Sequence, residues 1–317
     1  MSGIEIGEAL ELLAVEGAEL HQLFARASAA RFEHHGNRVR LCGIVNAKSG
    51  DCPEDCAFCA QSAHAKTGVD RHGLVASDRM VEAARRSEGH GAARFGIVTS
   101  GRSVWRDREI ETIAEAVTAV GAETGMEPCA SLGHLSPDAM QRLKEAGLGR
   151  LHHNLETAES YFPEVCTTRR YSDAFETILA AKEAGLSVCS GGIFGMGEDP
   201  AQRVELLAKL RELDVDSVPL NFLQPIPGTR LEGREPLPAL DCLKVVAVAR
   251  LMMPAVEIRV CGGREHNLRD LQSWIFVAGA DGMMVGGYLT VSGRGVEDDL
   301  QMIRDAGMIA VGPVADA

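Results

Sequence analysis

Eight short apolar runs alternate with amphipathic, helix-periodic stretches between residues 39 and 306, and this alternation constrains the fold more than any other feature of the 317-residue chain. A strand that leads into a helix and then into another strand places neighbouring strands parallel, with the helices packed outside the sheet. The spacing predicts strands at Val39–Val45, Arg94–Thr99, Pro128–Leu132, Arg150–Leu155, Ser187–Ile193, Ser217–Leu223, Glu257–Cys261 and Gly282–Val285. Helices are expected near 77–88, 107–124, 136–146, 172–184, 199–213, 238–252, 266–278 and 296–306. Ser77, Ser136-Pro137 and Ser172 stand where N-caps are needed, and an Ala-Gly pair at 146–147 and 184–185 ends a helix before the next strand. Eight such units suggest an α/β fold of the (β/α)8 TIM-barrel type; the pattern leaves an open doubly wound sheet as the alternative. Residues 4–26 have their own helical period and are expected to form a helix outside the barrel. The expected division is an N-terminal helical extension over 1–36, a barrel over 37–307 and a tail over 308–317.

Directly after the first expected strand comes Cys52-Pro-Glu-Asp-Cys56-Ala-Phe-Cys59, a C-x3-C-x2-C run. In a barrel, such a loop lies at the C-terminal face, where chemistry is done. Three thiolates on one loop can hold one face of a cubane iron–sulfur cluster and leave the fourth iron open, whereas closed clusters take four cysteines. A structural zinc site would call for a second nearby Cys/His pair, which the following residues do not supply. A redox C-x-x-C pair would have no use for Cys52. The net charge of −13 argues against a nucleic-acid partner. The chain has no apolar run long enough to span a membrane. Its first residues lack the basic and apolar regions of a signal peptide, so a cytoplasmic protein is expected. In that setting the nine cysteines read as reduced thiols and metal ligands.

Cys42, Cys129 and Cys189 fall inside the first, third and fifth expected strands, and Cys261 ends the seventh. Side chains from alternate strands fill one layer of a barrel interior. A single buried cysteine is ordinary packing. Four on alternate strands, with Arg259 on the same face as Cys261, point to a second metal site. Cys242 reads as core and Cys166 as a loop bystander.

The residues 49–62, Ser-Gly-Asp-Cys-Pro-Glu-Asp-Cys-Ala-Phe-Cys-Ala-Gln-Ser, resemble the radical S-adenosylmethionine (SAM) superfamily. That run narrows the resemblance to the biotin synthase family, as do the motifs starting at Cys189, Ser217 and Ala249. Together the motifs cover about Leu41 to Gly307. The resemblance implies barrel closure and a [4Fe–4S] cluster on Cys52, Cys56 and Cys59 that binds and cleaves SAM. Phe58, Asn154, Glu156, Gly191 and Gly192 would surround SAM, with Asn154 and Glu156 on the ribose and Thr99-Ser-Gly101 near the amino group. Asn221, with Asn154, would hold the ureido ring of dethiobiotin, and Arg169 or Arg170 its carboxylate. The implied activity is sulfur transfer: 5′-deoxyadenosyl radicals activate two carbons of dethiobiotin, and an auxiliary cluster supplies the sulfur of biotin. A low-potential electron donor such as flavodoxin or ferredoxin and a homodimeric state are implied as well.

The family's auxiliary [2Fe–2S] cluster takes cysteines on strands two, three and five and an arginine on strand seven. Cys129, Cys189 and Arg259 match, but Gly96 stands at the strand-two position. Cys42 and Cys261 are extra. An altered cluster held by Cys42, Cys129, Cys189 and Cys261 is therefore expected, with four irons or an additional sulfide, and with Arg259 offsetting its charge. The rival readings are another radical SAM enzyme on the same scaffold, such as a maturase or mutase, and an iron–sulfur scaffold or electron carrier.

Overall fold

The computed structural model describes residues 3–287, 289 and 293–312. Its strands are β1 Arg38–Lys48, β2 Arg94–Thr99, β3 Glu127–Ser131, β4 Arg150–His152, β5 Ser187–Cys189, β6 Gly192–Phe194, β7 Ser217–Phe222, β8 Glu257–Val260, β9 Gly282–Met284 and β10 Ile309–Val311. All pairings between them are parallel, in the order β1-β2-β3-β4-β5-β7-β8-β9 with β6 beside β7, and β9 returns to β1 through Arg40↔Gly282 and Cys42↔Met284. The return pairing closes the sheet into a (β/α)8 barrel and removes the doubly wound alternative.

The helices are α1 Ile6–Ala14, α2 Gly17–His35, α3 Ser77–Gly89, α4 Asp107–Glu123, α5 Pro137–Glu145, α6 Phe162–Val165, α7 Ser172–Glu183, α8 Pro200–Glu212, α9 Ala239–Met252, α10 Arg264–Leu268, α11 Trp274–Val277 and α12 Val296–Asp305. Ser136 caps α5, accepting from the Ala139 amide with Pro137 behind it. Ser77 and Ser172 instead begin their helices without a capping bond. The capping box that the sequence reading did not use is Asp199 with Gln202 on α8.

Four differences from the sequence expectation have physical causes. The single N-terminal helix is two, because Val15 takes an extended conformation after α1 and Gly17 opens α2 at φ 56°. These helices pack over α9, whose side chains are buried on every side. That cover explains an apolar run with no polar face. The fifth strand is split into β5 and β6. The helix expected over 266–278 is α10, a 3-10 turn at Arg269–Leu271 and α11. Finally, part of the expected tail is β10, in register Arg38↔Ile309 on β1, while 313–317 lie outside the described residues.

The closed end of the barrel is sealed by charge. Glu257 accepts from Arg40, Arg94 and Arg150 at 2.8, 2.7 and 2.9 Å, with Arg259 at 3.9 Å. Glu127 joins the cluster through Arg94 and Arg150. Burial pushes the Glu257 carboxyl up, but Arg94, Arg259 and Arg150 together hold it well below the usual carboxylate range. Four guanidiniums face two carboxylates, so this floor carries a positive surplus.

Candidate active site

The loop after β1 folds back on itself. The Cys52 amide donates to the Gln61 carbonyl, the Ala63 amide donates to the Cys52 carbonyl, and the Cys59 amide donates to the Cys56 carbonyl. Its outer side is clamped by the segment after α6. The Asp55 carboxylate accepts from the Thr167 amide at 2.8 Å and the Thr167 hydroxyl at 2.5 Å, and Arg230 donates to the carbonyls of Asp55 and Val165. Arg102 bridges Glu54 and the Thr168 carbonyl. Burial opposes the Asp55 charge, but the Thr167 bonds outweigh it and hold the carboxyl well below its ordinary value.

Without a metal the three loop thiols keep their protons. Burial raises Cys52 and pushes Cys59 up to about 11. Cys56 is raised by its hydrogen bond with Cys166 and then by burial. The bond favours the thiolate of Cys166, whose thiol falls to about 6 against the effect of burial. Cys166 is buried, with its sulfur 3.5 Å from the Thr168 hydroxyl and beside Cys56. Metal binding here must displace protons.

Asn154 and Glu156 follow β4, and both line the central cavity. Asn154 accepts from the Gly191 amide at 3.1 Å and donates to Glu156 at 3.3 Å. Glu156 has φ 70°, and the site over-determines this left-handed turn. Its amide donates to the Gly191 carbonyl, and its carbonyl accepts from Ile193 at 2.7 Å. Burial raises the Glu156 carboxyl despite Arg169 and His152. Thr99 lines the cavity and its buried hydroxyl has no partner among the described residues, so a ligand group can take it. Phe58 also lines the cavity and packs against Val165, Met196 and Leu223.

Gly191 and Gly192 are both approached closely by the chain itself. A Cβ on Gly191 would meet the Pro219 carbonyl oxygen at 2.0 Å, and one on Gly192 the Glu156 carbonyl oxygen at 2.5 Å. The close approach is of the chain to itself, and it explains the break between β5 and β6. Asn221 donates to the Gly192 carbonyl and accepts from the Gly262 amide, which leaves one hydrogen and one lone pair for a ligand. Arg170 is exposed and paired with Asp173, whereas Arg169 lines the cavity beside Cys56 and Glu156. Of the two arginines, only Arg169 can reach a bound molecule.

Below the mouth, Arg259 gathers the second set. Its guanidinium contacts the Cys42 sulfur and lies 3.4 Å from that of Cys189, while Ser217 accepts from it at 2.7 Å. Cys129 lines the same cavity opposite Gly96 in register, and Cys261 sits close enough to feel the charges of Arg259, Cys42 and Cys189. Burial opposes the Cys189 charge, yet Arg259 and His152 bring its thiol down to about 6. Burial pushes Cys129 up to about 12 and Cys261 higher still. Cys242 is core, on the barrel's outer helix α9.

One cavity of about 380 Å³ joins both sets: Cys52, Cys56 and Cys59 at the mouth, and Cys42, Cys129, Cys189, Cys261 and Arg259 deeper in. Among the described residues no three donors close on a point where a single ion would sit. The thiols instead surround open space, above a floor with surplus positive charge. That donor set fits two anionic iron–sulfur clusters with a small molecule between them. The Glu257 floor is not legible in the sequence because its arginines lie far apart in the chain, whereas the alternation of His152 with Asn154 and Glu156 is visible there.

No helix among the described residues is long and apolar enough to cross a membrane. Residues 48–220 match the radical SAM superfamily, and residues 219–309 match the biotin and thiamin synthesis associated domain. The fold is shared with methylornithine synthase (TM-score 0.85, 22% identity, 98% of this chain and 94% of that one). It is shared equally with the FeFe-hydrogenase maturase HydG of Carboxydothermus hydrogenoformans (TM-score 0.85, 19% identity, 99% and 77%). At such identities these two speak to the fold alone. The chain is 54% identical to the biotin synthase of Trichlorobacter lovleyi over 97% of this chain and 92% of the relative. It is 52% identical to that of Geobacter sulfurreducens over 97% and 93%. With the family's cysteine loop at the mouth of a closed barrel and this likeness along nearly its whole length, the chain belongs to the biotin synthase family of radical SAM enzymes.

Proposed function

We propose that the chain converts dethiobiotin to biotin, with a [4Fe–4S] cluster on Cys52, Cys56 and Cys59 and an auxiliary cluster on Cys42, Cys129, Cys189 and Cys261. The observation that carries this reading is the single cavity reached by both cysteine sets. When bound, the clusters and SAM supply a 5′-deoxyadenosyl radical and the sulfur to be inserted.

The chain's own residues bind, orient and exclude water. Asn154 and Glu156 offer acceptors to the ribose of SAM, and the unpartnered Thr99 hydroxyl meets a polar group of the same ligand. Arg169, beside Cys56 and Glu156, offers its guanidinium to a carboxylate of SAM or of dethiobiotin. The free hydrogen and lone pair of Asn221 suit a cyclic urea, which presents both a carbonyl and N–H groups. Arg259 touches two auxiliary sulfurs and serves as their counter-charge, with the Glu257 arginines beneath it. The buried walls hold reacting groups at fixed separation, which is the main lever a protein has over radical chemistry. A low-potential flavodoxin or ferredoxin as electron donor, and a homodimer, complete the reading.

The test is an anaerobic single-turnover assay of the reconstituted protein with dethiobiotin, SAM and a low-potential reductant, read by mass spectrometry. Biotin formed with 5′-deoxyadenosine and methionine is the expected result. SAM cleavage without biotin would remove dethiobiotin as substrate or the auxiliary set as sulfur source. For the ligand set, Mössbauer spectra of a Cys52/Cys56/Cys59→Ala variant should change on adding Cys42→Ala or Cys261→Ala. An unchanged [2Fe–2S] signal would defeat the four-cysteine assignment.

A further inference from the structure

His152 is the Cα partner of Cys189 across β4 and β5, and its Nδ1 lies 3.4 Å from the Cys189 sulfur. A metal-bound thiolate carries no proton, so the shared hydrogen must sit on the ring and Nδ1–H donates. Arg259, on β8, reaches the same sulfur from the other side of β5 at 3.4 Å. The other three deep cysteines differ. Among the described residues, Cys42 has only the Arg259 side-chain bond, Cys129 faces the Glu127 carbonyl at 3.7 Å, and the Cys261 sulfur has no side-chain bond. Cys189 is therefore the one sulfur of the set that receives N–H donors from two elements.

The position of the donor adds to this. His152 lines the cavity, and its Nε2 has no protein partner among the described residues. It stands one strand repeat below Asn154, so a single chain segment touches both the auxiliary sulfur and the proposed cofactor site.

We infer that His152 is a positioning residue that donates to the Cys189 sulfur and makes the auxiliary cluster easier to reduce. The inference rests on the proposed role of Cys189 as a ligand. Hydrogen bonds to cluster sulfurs withdraw charge and raise the reduction potential. The reaction needs such a bias. One sulfide and two carbon radicals give one thioether and leave two electrons on the iron, and a site that accepts electrons readily favours that outcome.

The test uses the full-length Cys52/Cys56/Cys59→Ala protein, reconstituted with iron and sulfide so that only the auxiliary site is filled. Reduction is followed by EPR during a potentiometric titration. His152→Leu removes the donor, while His152→Asn returns an N–H near Nδ1. His152→Leu should make reduction at least about tenfold less favourable, about 59 mV for a one-electron couple, with His152→Asn close to the parent. Loss of iron and sulfide in His152→Leu but not in His152→Asn supports the same role. An unchanged potential in His152→Leu overturns it, as does an equal fall in both variants. Loss of iron in both variants also overturns it, since the imidazole would then be required as a ligand. Cys189→Ala on the same background separates the two readings: if its iron, sulfide and potential match the parent, the ligand assignment has failed.

Discussion

The two cysteine sets are built in opposite ways. At the mouth, Cys52, Cys56 and Cys59 come from eight consecutive residues, tied by their own backbone bonds and clamped from outside by Thr167, which donates to Asp55, and by Arg102 and Arg230. Deeper in, Cys42, Cys129 and Cys189 come from three strands and Cys261 from the residue after β8, and Cys42, Cys189 and Cys261 surround one arginine. The mouth set is local, three thiols on one loop. The deep set is global, and its charge is matched by residues just as scattered. Open chemistry can sit on a loop, whereas a buried anionic group needs a whole barrel to balance it.

The sharpest test of the contrast is to remove one ligand from each set. Cys56→Ala should abolish 5′-deoxyadenosine formation while the auxiliary iron is retained. Cys129→Ala should do the reverse, losing essentially all biotin while SAM is still cleaved. Metal analysis with product quantification reads both, and a variant that loses both irons together would break the claim of independence.

Next in size is the floor. Glu257→Gln leaves Arg40, Arg94, Arg150 and Arg259 without their shared carboxylate. Breaking such a buried network costs about 3–5 kcal/mol, measurable by denaturant unfolding of the apo-protein. The pH dependence follows from the same group. Its folded pKa lies below the ordinary 4.5, so its stabilisation is complete above that value and is lost as the pH falls through the folded pKa. Glu257→Gln should therefore lower stability at pH 7 and flatten the acid side of the profile; an unchanged slope below pH 4.5 would show that the carboxylate is not the hub.

The smallest effect belongs to the mouth. Arg102 is half exposed where it meets Glu54. Arg102→Ala should cost no more than about 1 kcal/mol in stability, with faster loss of iron from the mouth cluster alone. An equal loss from the deep site would tie the two sets together.

The strand–helix alternation survives in the structure because each unit buries its own apolar face, a local property that periodicity records. Where the pattern misled, the cause was a distant partner. Ser187–Ile193 reads as one strand, but Gly191 and Gly192 lie so close to the carbonyls of Pro219 and Glu156 that the strand must jog. The α9 run reads as a helix, but why it lacks a polar face depends on α1 and α2 covering it. Arg170 looked equivalent to Arg169 until one turned to Asp173 and the other into the cavity.

By itself the sequence determined the barrel's repeat, the cysteine loop and the presence of four cysteines on alternate strands, because all three are matters of spacing along one chain. Only the tertiary structure decided that Glu257 collects its arginines, that Cys166 leans on Cys56, and that His152 and Arg259 meet at Cys189. Those depend on register between strands far apart in the chain. Register is set by how the whole sheet closes and packs, which no single segment encodes.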